Sequence, residues 1–286
     1  MIWVGGRVVF DNALKVSVLD RTFEHGLGLF ETLRTWRGRA PLLERHLARL
    51  KRSAELLKLP YASALPPDDQ AVAELVAAEG LGGEVMLRIT LSGGTSASSG
   101  ATLWMRSSPL PALTRREGAV VDLGTWWVQE KDPFCCLKSL NYWSRRLAHE
   151  RAKELGFDEV LSVQPFADDL VVWEGSRTNV FIVTRDVLRT PDLNGPLVPG
   201  IMRALVIERA AELALDLEET DYLTGRELLA ADEVFLTNSV RGIVPVARIV
   251  LPDKDQHRDW VAPGAWTQAL GLAVGDWVRL RVGDAS

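Results

Sequence analysis

The stretch Gly28–Trp36, "GLFETLRTW", reads as a β-strand with two unlike faces. Side chains alternate across a strand, so Phe30, Thr32, Arg34 and Trp36 share one side while Glu31, Leu33 and Thr35 share the other. The chain then changes period. Between Leu42 and Leu59 the apolar residues Leu43, Leu47, Leu50, Ala54 and Leu57 recur at helical spacing, and Arg45, Arg49 and Arg52 form a second, basic stripe on the same expected helix. A second helix is expected at about Asp68–Glu79, ended by "EGLGG". Beyond it "EVMLRITLSGG" returns to alternation, with Val85, Leu87, Ile89 and Leu91 on one face and Met86, Arg88 and Thr90 on the other. The runs "RVVF" and "KVSVL" predict strands ahead of Gly28, and "TLWMR" predicts one after Ser92.

The segment Ser107–Gly118, "SSPLPALTRREG", is Pro-rich and polar, which marks an interdomain link. The expected division is a small domain over 1–112, a linker over 113–118 and a larger domain over 119–286. Past the linker, "AVVDLGTW", "DEVLSV", "LVVWEG", "NVFIVT" and "DEVFLT" predict strands, with helices at about 141–155 and 200–215. Strands grouped with attached helices, rather than a regular parallel βαβ series, predict an α+β class.

Composition narrows the function. A net charge of −5 gives no basic surface for nucleic acid or an anionic membrane. The N-terminal "MIWVGGRVVF" has neither the basic nor the apolar region of a signal peptide, and no apolar run approaches the ~20 residues of a membrane span, so a cytoplasmic protein is expected. Cys135 and Cys136 are the only cysteines and adjacent, and the histidines at 25, 46, 149 and 257 are scattered, so neither a disulfide framework nor a metal site is expected.

Four places could carry chemistry. Lys138, in "CLKSLNYW", could be a Schiff-base lysine, although by residue type alone a lysine is far more often solvated. Glu174 follows the strand-like "LVVW" and opens the turn-like "EGSRTN", where an exposed carboxylate is the commoner case. In "LVPGIMRALVIERAAELAL", Pro199 and Gly200 open a helix whose free N–H groups suit an anion, and which is equally a good helix start. "FLTNSVRG" places small polar residues straight after a strand, as phosphate contacts or as an ordinary turn. A lysine, an acid and a helix N-terminus answer in turn to an aldehyde, a ring nitrogen and a phosphate, the three functions of pyridoxal 5′-phosphate.

The ordered segments "DRTFEHGLGLFETLR", "LLERHLARLKRSAELL", "LKSLNY", "EGSRTNVF", "LVPGIMR" and "DEVFLTNSVRGIVPV" resemble the class IV aminotransferases, the fold-type IV pyridoxal-phosphate enzymes. These include branched-chain and D-amino-acid aminotransferases and 4-amino-4-deoxychorismate lyase. The resemblance implies a small α/β N-terminal domain, a larger barrel-like C-terminal domain, a site in the cleft between them, and a homodimer that shares site residues. It implies that Lys138 binds the cofactor aldehyde and that Glu174 pairs with its ring nitrogen. The phosphate falls to Arg49, to the backbone at Gly200, Ile201 and Met202, and to the Asn238–Ser239 turn, with Tyr142 and Asn179 as neighbours. A small amino substrate falls to Phe30, Thr32, Arg34, Arg88 and Arg241, with Thr32 beside Lys138 in catalysis. "FETLR", Arg88 and "TNSVRG" resemble the lyase, which releases pyruvate and p-aminobenzoate for folate biosynthesis; an amino-acid transaminase is the alternative. A cofactor-binding protein without catalysis is disfavoured by the intact Lys138 and Glu174. A nucleotide site is disfavoured because the chain has neither a G-x-x-x-x-G-K-[ST] loop nor a G-x-G-x-x-G turn opening a helix.

Overall fold

A computed structural model of the chain describes residues 1–112, 117–129, 132, 134–251 and 256–283. The chain forms two compact units. The first takes Met1–Ala112, Leu137–Tyr142 and the chain from Val278, and the second takes the remainder. The short segment around Lys138 therefore groups with the first unit, whereas a single cut at 113–118 places it in the second. Of that expected linker, 113–116 lies outside the described residues, and Ser107–Pro109 belongs to a strand.

The first unit is built on strands β1 (Ile2–Val4), β2 (Arg7–Val9), β3 (Gly28–Arg34), β4 (Val85–Ser92) and β5 (Leu103–Pro109), and helices α1 (Arg21–His25), α2 (Leu43–Leu56) and α3 (Asp69–Glu79). The sheet is antiparallel throughout, in the order β2-β1-β5-β4-β3. Leu29 and Leu33 of β3 and Val85, Leu87, Ile89 and Leu91 of β4 pack with Leu43, Leu50 and Ala54 of α2 and Val72 and Leu75 of α3 in one core. Fully burying each such leucine stabilises the unit by about 2 kcal/mol. Asp68 caps α3 by accepting from the Ala71 N–H at 2.8 Å, and Gly80 ends it at φ +64°.

One expectation for this unit fails. "KVSVL" forms no strand, and Val18 and Leu19 are exposed, with no neighbouring strand among the described residues to offer them a ladder. Arg49, expected on the basic stripe of α2, is buried. The "DRTFEH" motif proves structural: Asp20 accepts from the Thr22 N–H, the Ser92 hydroxyl and the Gly94 N–H, tying α1 to the end of β4.

The second unit contains β6 (Ala119–Trp127), α4 (Trp143–Glu154), β7 (Glu159–Phe166), β8 (Asp169–Gly175), β9 (Asn179–Thr184), β10 (Val187–Pro191) and α5 (Ile201–Glu212). It continues with β11 (Asp216–Thr220), β12 (Leu223–Thr224), α6 (Gly225–Ala230), β13 (Glu233–Asn238), β14 (Gly242–Val250) and β15 (His257–Asp259), and helix α7 (Ala265–Val282) begins in it. Strands β9-β13-β14-β6-β7-β8 run in sequence, and the pairing of β8 with β9 closes them into a six-stranded barrel. The barrel is mixed: β14–β6 and β6–β7 are parallel and the other neighbours antiparallel. Val121, Leu123, Leu161, Val163, Val180, Ile182, Leu236 and Ile249 are among its buried core. The pair that closes it is Glu174 with Asn179, so two expected site residues stand at the seam. The small antiparallel-sheet domain and the barrel domain together make the α+β class expected from the sequence.

Candidate active site

In the first unit, β3 is an edge strand, and the segment 138–140 pairs with its exposed side. The Phe30 N–H donates to the Lys138 carbonyl at 2.9 Å and the Leu140 N–H to the Gly28 carbonyl at 3.0 Å. Gly28 permits this approach: a Cβ there would stand 2.5 Å from Leu140 Cδ1 and 2.8 Å from the Leu91 carbonyl oxygen, at φ +149°. The pairing sets half-buried Lys138 with Nζ 4.8 Å from the Phe30 ring centroid and 6.0 Å from that of Tyr142, whose ring meets Phe30 edge-on at 5.1 Å. Arg88 Cζ lies 3.9 Å from the Phe30 centroid on the same face of the sheet.

Thr32, Arg88 and Arg106 stand directly opposite one another on β3, β4 and β5. Burial, and then the like charge of Arg106, lower the pKa of Arg88 from its ordinary value. Among the described residues neither arginine makes an ion pair with a carboxylate. Arg34 is occupied: it pairs with Glu84 and stacks on Trp36 at 4.9 Å.

On the other face of β3, Glu31 is buried. It accepts from Arg49 Nε at 2.8 Å, from Arg49 Nη2 at 2.5 Å and from His46 Nδ1 at 2.7 Å. Burial pushes the Glu31 pKa up, but Arg49 and His46 outweigh it and hold it at about 2. Burial lowers the pKa of His46, opposed by Glu31 and assisted by the charges of Arg49 and Lys138, so a neutral imidazole donates Nδ1–H to the carboxylate. Sequence reasoning missed Glu31 and His46. The available signal was an acid on the core side of an alternating strand, with His46 and Arg49 three residues apart on the facing helix.

In the second unit Glu174 is buried, not a turn carboxylate in solvent. It pairs with Arg145 of α4, accepts the Val198 N–H at 3.1 Å to each oxygen, and lies 3.4 Å from Asn179 Nδ2. Asn179 also donates to the Val198 carbonyl at 3.0 Å. Gly200 caps α5 without a side-chain hydrogen bond, and a Cβ there would fall 1.9 Å from Asn179 Oδ1. The glycine lets the seam of the barrel approach the N–H groups of Ile201 and Met202, both buried residues in the first turn of α5.

Thr237 pairs with Asn179 across β13 and β9, so the two side chains share a face, and its hydroxyl is buried with no hydrogen-bond partner among the described residues. The Asn238 side chain serves its own turn, accepting from the N–H groups of Val240 and Arg241 at 3.0 and 2.8 Å. Ser239 beside it is buried. The "EGSRTN" turn is held by Glu159, another residue missed from sequence, which accepts from the N–H groups of Ser176 and Arg177 and the Thr178 hydroxyl at 3.0, 3.2 and 3.2 Å. Near Glu174, burial and Asp132 push the Cys135 thiol up to about 12, which removes it as a nucleophile at neutral pH.

The sequence matches the family model for amino-transferase class IV over residues 28–249. It is 30% identical over 258 residues to a putative branched-chain-amino-acid aminotransferase of Methanocaldococcus jannaschii, covering 87% of each chain. It is 28% identical over 263 residues to the aminodeoxychorismate lyase of Bacillus subtilis, covering 87% of this chain and 86% of that one. The fold matches the branched-chain aminotransferase of Thermoproteus uzoniensis, crystallised with norvaline, at a TM-score of 0.81 and 28% identity, covering 100% of this chain and 95% of that one.

Proposed function

Because the chain belongs to the class IV aminotransferase family, a family of pyridoxal-phosphate enzymes, we propose that it is an amino-acid transaminase acting on substrates with one carboxylate and an apolar side chain. The cofactor fits the residues present. Among the described residues the buried Thr237 hydroxyl, on the face of Asn179, has no partner and no side chain caps the start of α5, and Glu174 is an ionisable acid at the same seam. Lys138 would hold the cofactor covalently, Glu174 its ring nitrogen, and the Ile201 and Met202 N–H groups with Ser239 its phosphate. Arg49, oriented by Glu31, would add a cation to the phosphate.

Bound pyridoxal phosphate supplies an aldehyde that captures an amine and a ring that accepts electrons from the amino-bearing carbon. Lys138, once displaced by the substrate amine, would carry the proton from that carbon. Arg88 would hold the substrate carboxylate, Thr32 would present its hydroxyl from the same row, and Phe30 and Tyr142 would cover the side chain.

The observation that carries this reading over the expected lyase is the state of the arginines. Arg88 stands with Lys138 around Phe30, whereas Arg34, expected to hold substrate, is paired with Glu84. The likeness to two proteins named as branched-chain aminotransferases supports it further. The lyase remains a second reading because Arg106 beside Arg88 could take a second carboxylate. The test is to add L- and D-amino acids with apolar side chains to the cofactor-loaded protein, and separately aminodeoxychorismate, with no keto acid present. Conversion of the cofactor to its aminated form with release of the matching keto acid supports the transaminase. Release of p-aminobenzoate and pyruvate, with no amino acid reacting, contradicts it.

The reading also includes a homodimer. Phe10, Val18, Leu19 and Phe23 are exposed apolar residues close together in sequence, available to a second copy. A monomer in sedimentation at micromolar concentration would remove that part.

A further inference from the structure

Arg145 stands on α4, in a stretch, "WSRRLAHERAKE", whose charges read as a solvated helix face. Its environment is different. The guanidinium pairs with Glu174, its Nη2 also donates to the Cys135 carbonyl at 3.0 Å, and Cζ lies 5.6 Å from the Trp126 ring centroid. Three segments of the second unit thus fix one guanidinium. The side chains of Arg145 and Glu174 are 12% and 3% exposed, so water and salt screen the pair far less than a surface pair.

Resting on the reading that Glu174 holds the ring nitrogen of the cofactor, we infer that Arg145 is a positioning residue that keeps Glu174 ionised and aimed, and that makes the ring nitrogen less basic by sharing the same carboxylate. The reason is electrostatic. One anion placed among two cations stabilises each less than it would alone, and like charges disfavour each other's protonated forms. A guanidinium keeps its proton under all ordinary conditions, so the ring nitrogen, the weaker base, yields first. The strength of the electron sink is then set by an acid and a base together, and Arg145 is where it can be tuned without touching the lysine.

The test loads the protein with pyridoxal phosphate labelled with ¹⁵N in the ring and follows the nitrogen resonance with pH. Arg145→Gln is expected to raise the midpoint of ring protonation by about one to two pH units, the effect of one unit charge a carboxylate away at an effective dielectric of ~20. That is a roughly 10- to 100-fold gain in proton affinity. Arg145→Lys, which restores the charge, is expected to return most of the shift. Curves for wild type and Arg145→Gln that coincide, including a nitrogen fully protonated in both throughout, overturn the inference.

Glu174→Gln separates the two claims. A nitrogen that responds to Glu174→Gln but not to Arg145→Gln overturns the role of Arg145 alone, and one indifferent to Glu174→Gln overturns the role of Glu174 beneath it. If Arg145→Gln does not fold, Arg145→Met keeps the length over Trp126 without the charge and is expected to show the same shift. Failure of both Arg145→Gln and Arg145→Met to fold assigns Arg145 to the fold and overturns the inference.

Discussion

Glu31→Gln should destabilise the first unit in a way that depends on pH. The substitution keeps the shape of the side chain but leaves the Arg49 charge, 6% exposed, without its carboxylate, and takes the acceptor from His46. The Glu31 pKa is held at about 2 against a reference of 4.5. A difference of that size corresponds to about 3 kcal/mol of stability carried by the ionised form, within the range for breaking one side of a buried pair. Because the folded pKa lies below the unfolded one, this stabilisation is fully present above pH ~4.5 and is lost as pH falls towards 2. Urea unfolding followed by tryptophan fluorescence should place Glu31→Gln about 3 kcal/mol below wild type at pH 7, with the gap narrowing through pH 4 and 3. A gap under about 1 kcal/mol at pH 7, or one that stays constant down to pH 3, would refute the reasoning.

Gly200→Ala should place a methyl group within 1.9 Å of Asn179 Oδ1, driving Asn179 away from Val198 and Glu174. Cofactor affinity, read by quenching of tryptophan fluorescence, should fall at least roughly tenfold, the worth of about one hydrogen bond, and an unchanged affinity would separate the α5 start from the phosphate. Arg88→Gln should raise KM for a reactive amino acid by about 100-fold, the loss of a charge-assisted contact of about 3 kcal/mol. Arg34→Gln and Arg106→Gln should leave that KM within about threefold, since ΔΔG below about 0.6 kcal/mol is expected of a residue outside the contact. Steady-state kinetics of the three variants check this, and a large effect at Arg34 or Arg106 would favour a substrate with a second carboxylate.

The sheet of the first unit was legible because Leu29 and Leu33 of β3 and Val85, Leu87, Ile89 and Leu91 of β4 recur on alternate positions over one core, and the period change at Leu43 announced α2. "KVSVL" has the same composition as a strand, but strand formation needs a neighbour, and no local pattern reveals that none is present. The barrel closure was illegible for a related reason: Glu174 and Asn179 are near in sequence, yet the ring of pairings that makes them a seam spans β6 to β14. Among the proposed site residues, Lys138, Glu174 and Gly200 stood at recognisable motifs. Their supports did not. Arg145 and Glu159 are charges in segments that look solvated, and only tertiary packing shows that Glu159 is buried and that Arg145 is half-buried against Glu174.

The central claim is that Lys138 carries the cofactor. Borohydride reduction of the yellow cofactor-loaded protein, followed by proteolysis and mass spectrometry, should find the phosphopyridoxyl group on the peptide containing Lys138, and Lys138→Ala should remove both the label and the colour. A label on another lysine, or a Lys138→Ala protein that is still yellow and still labelled, would contradict the account.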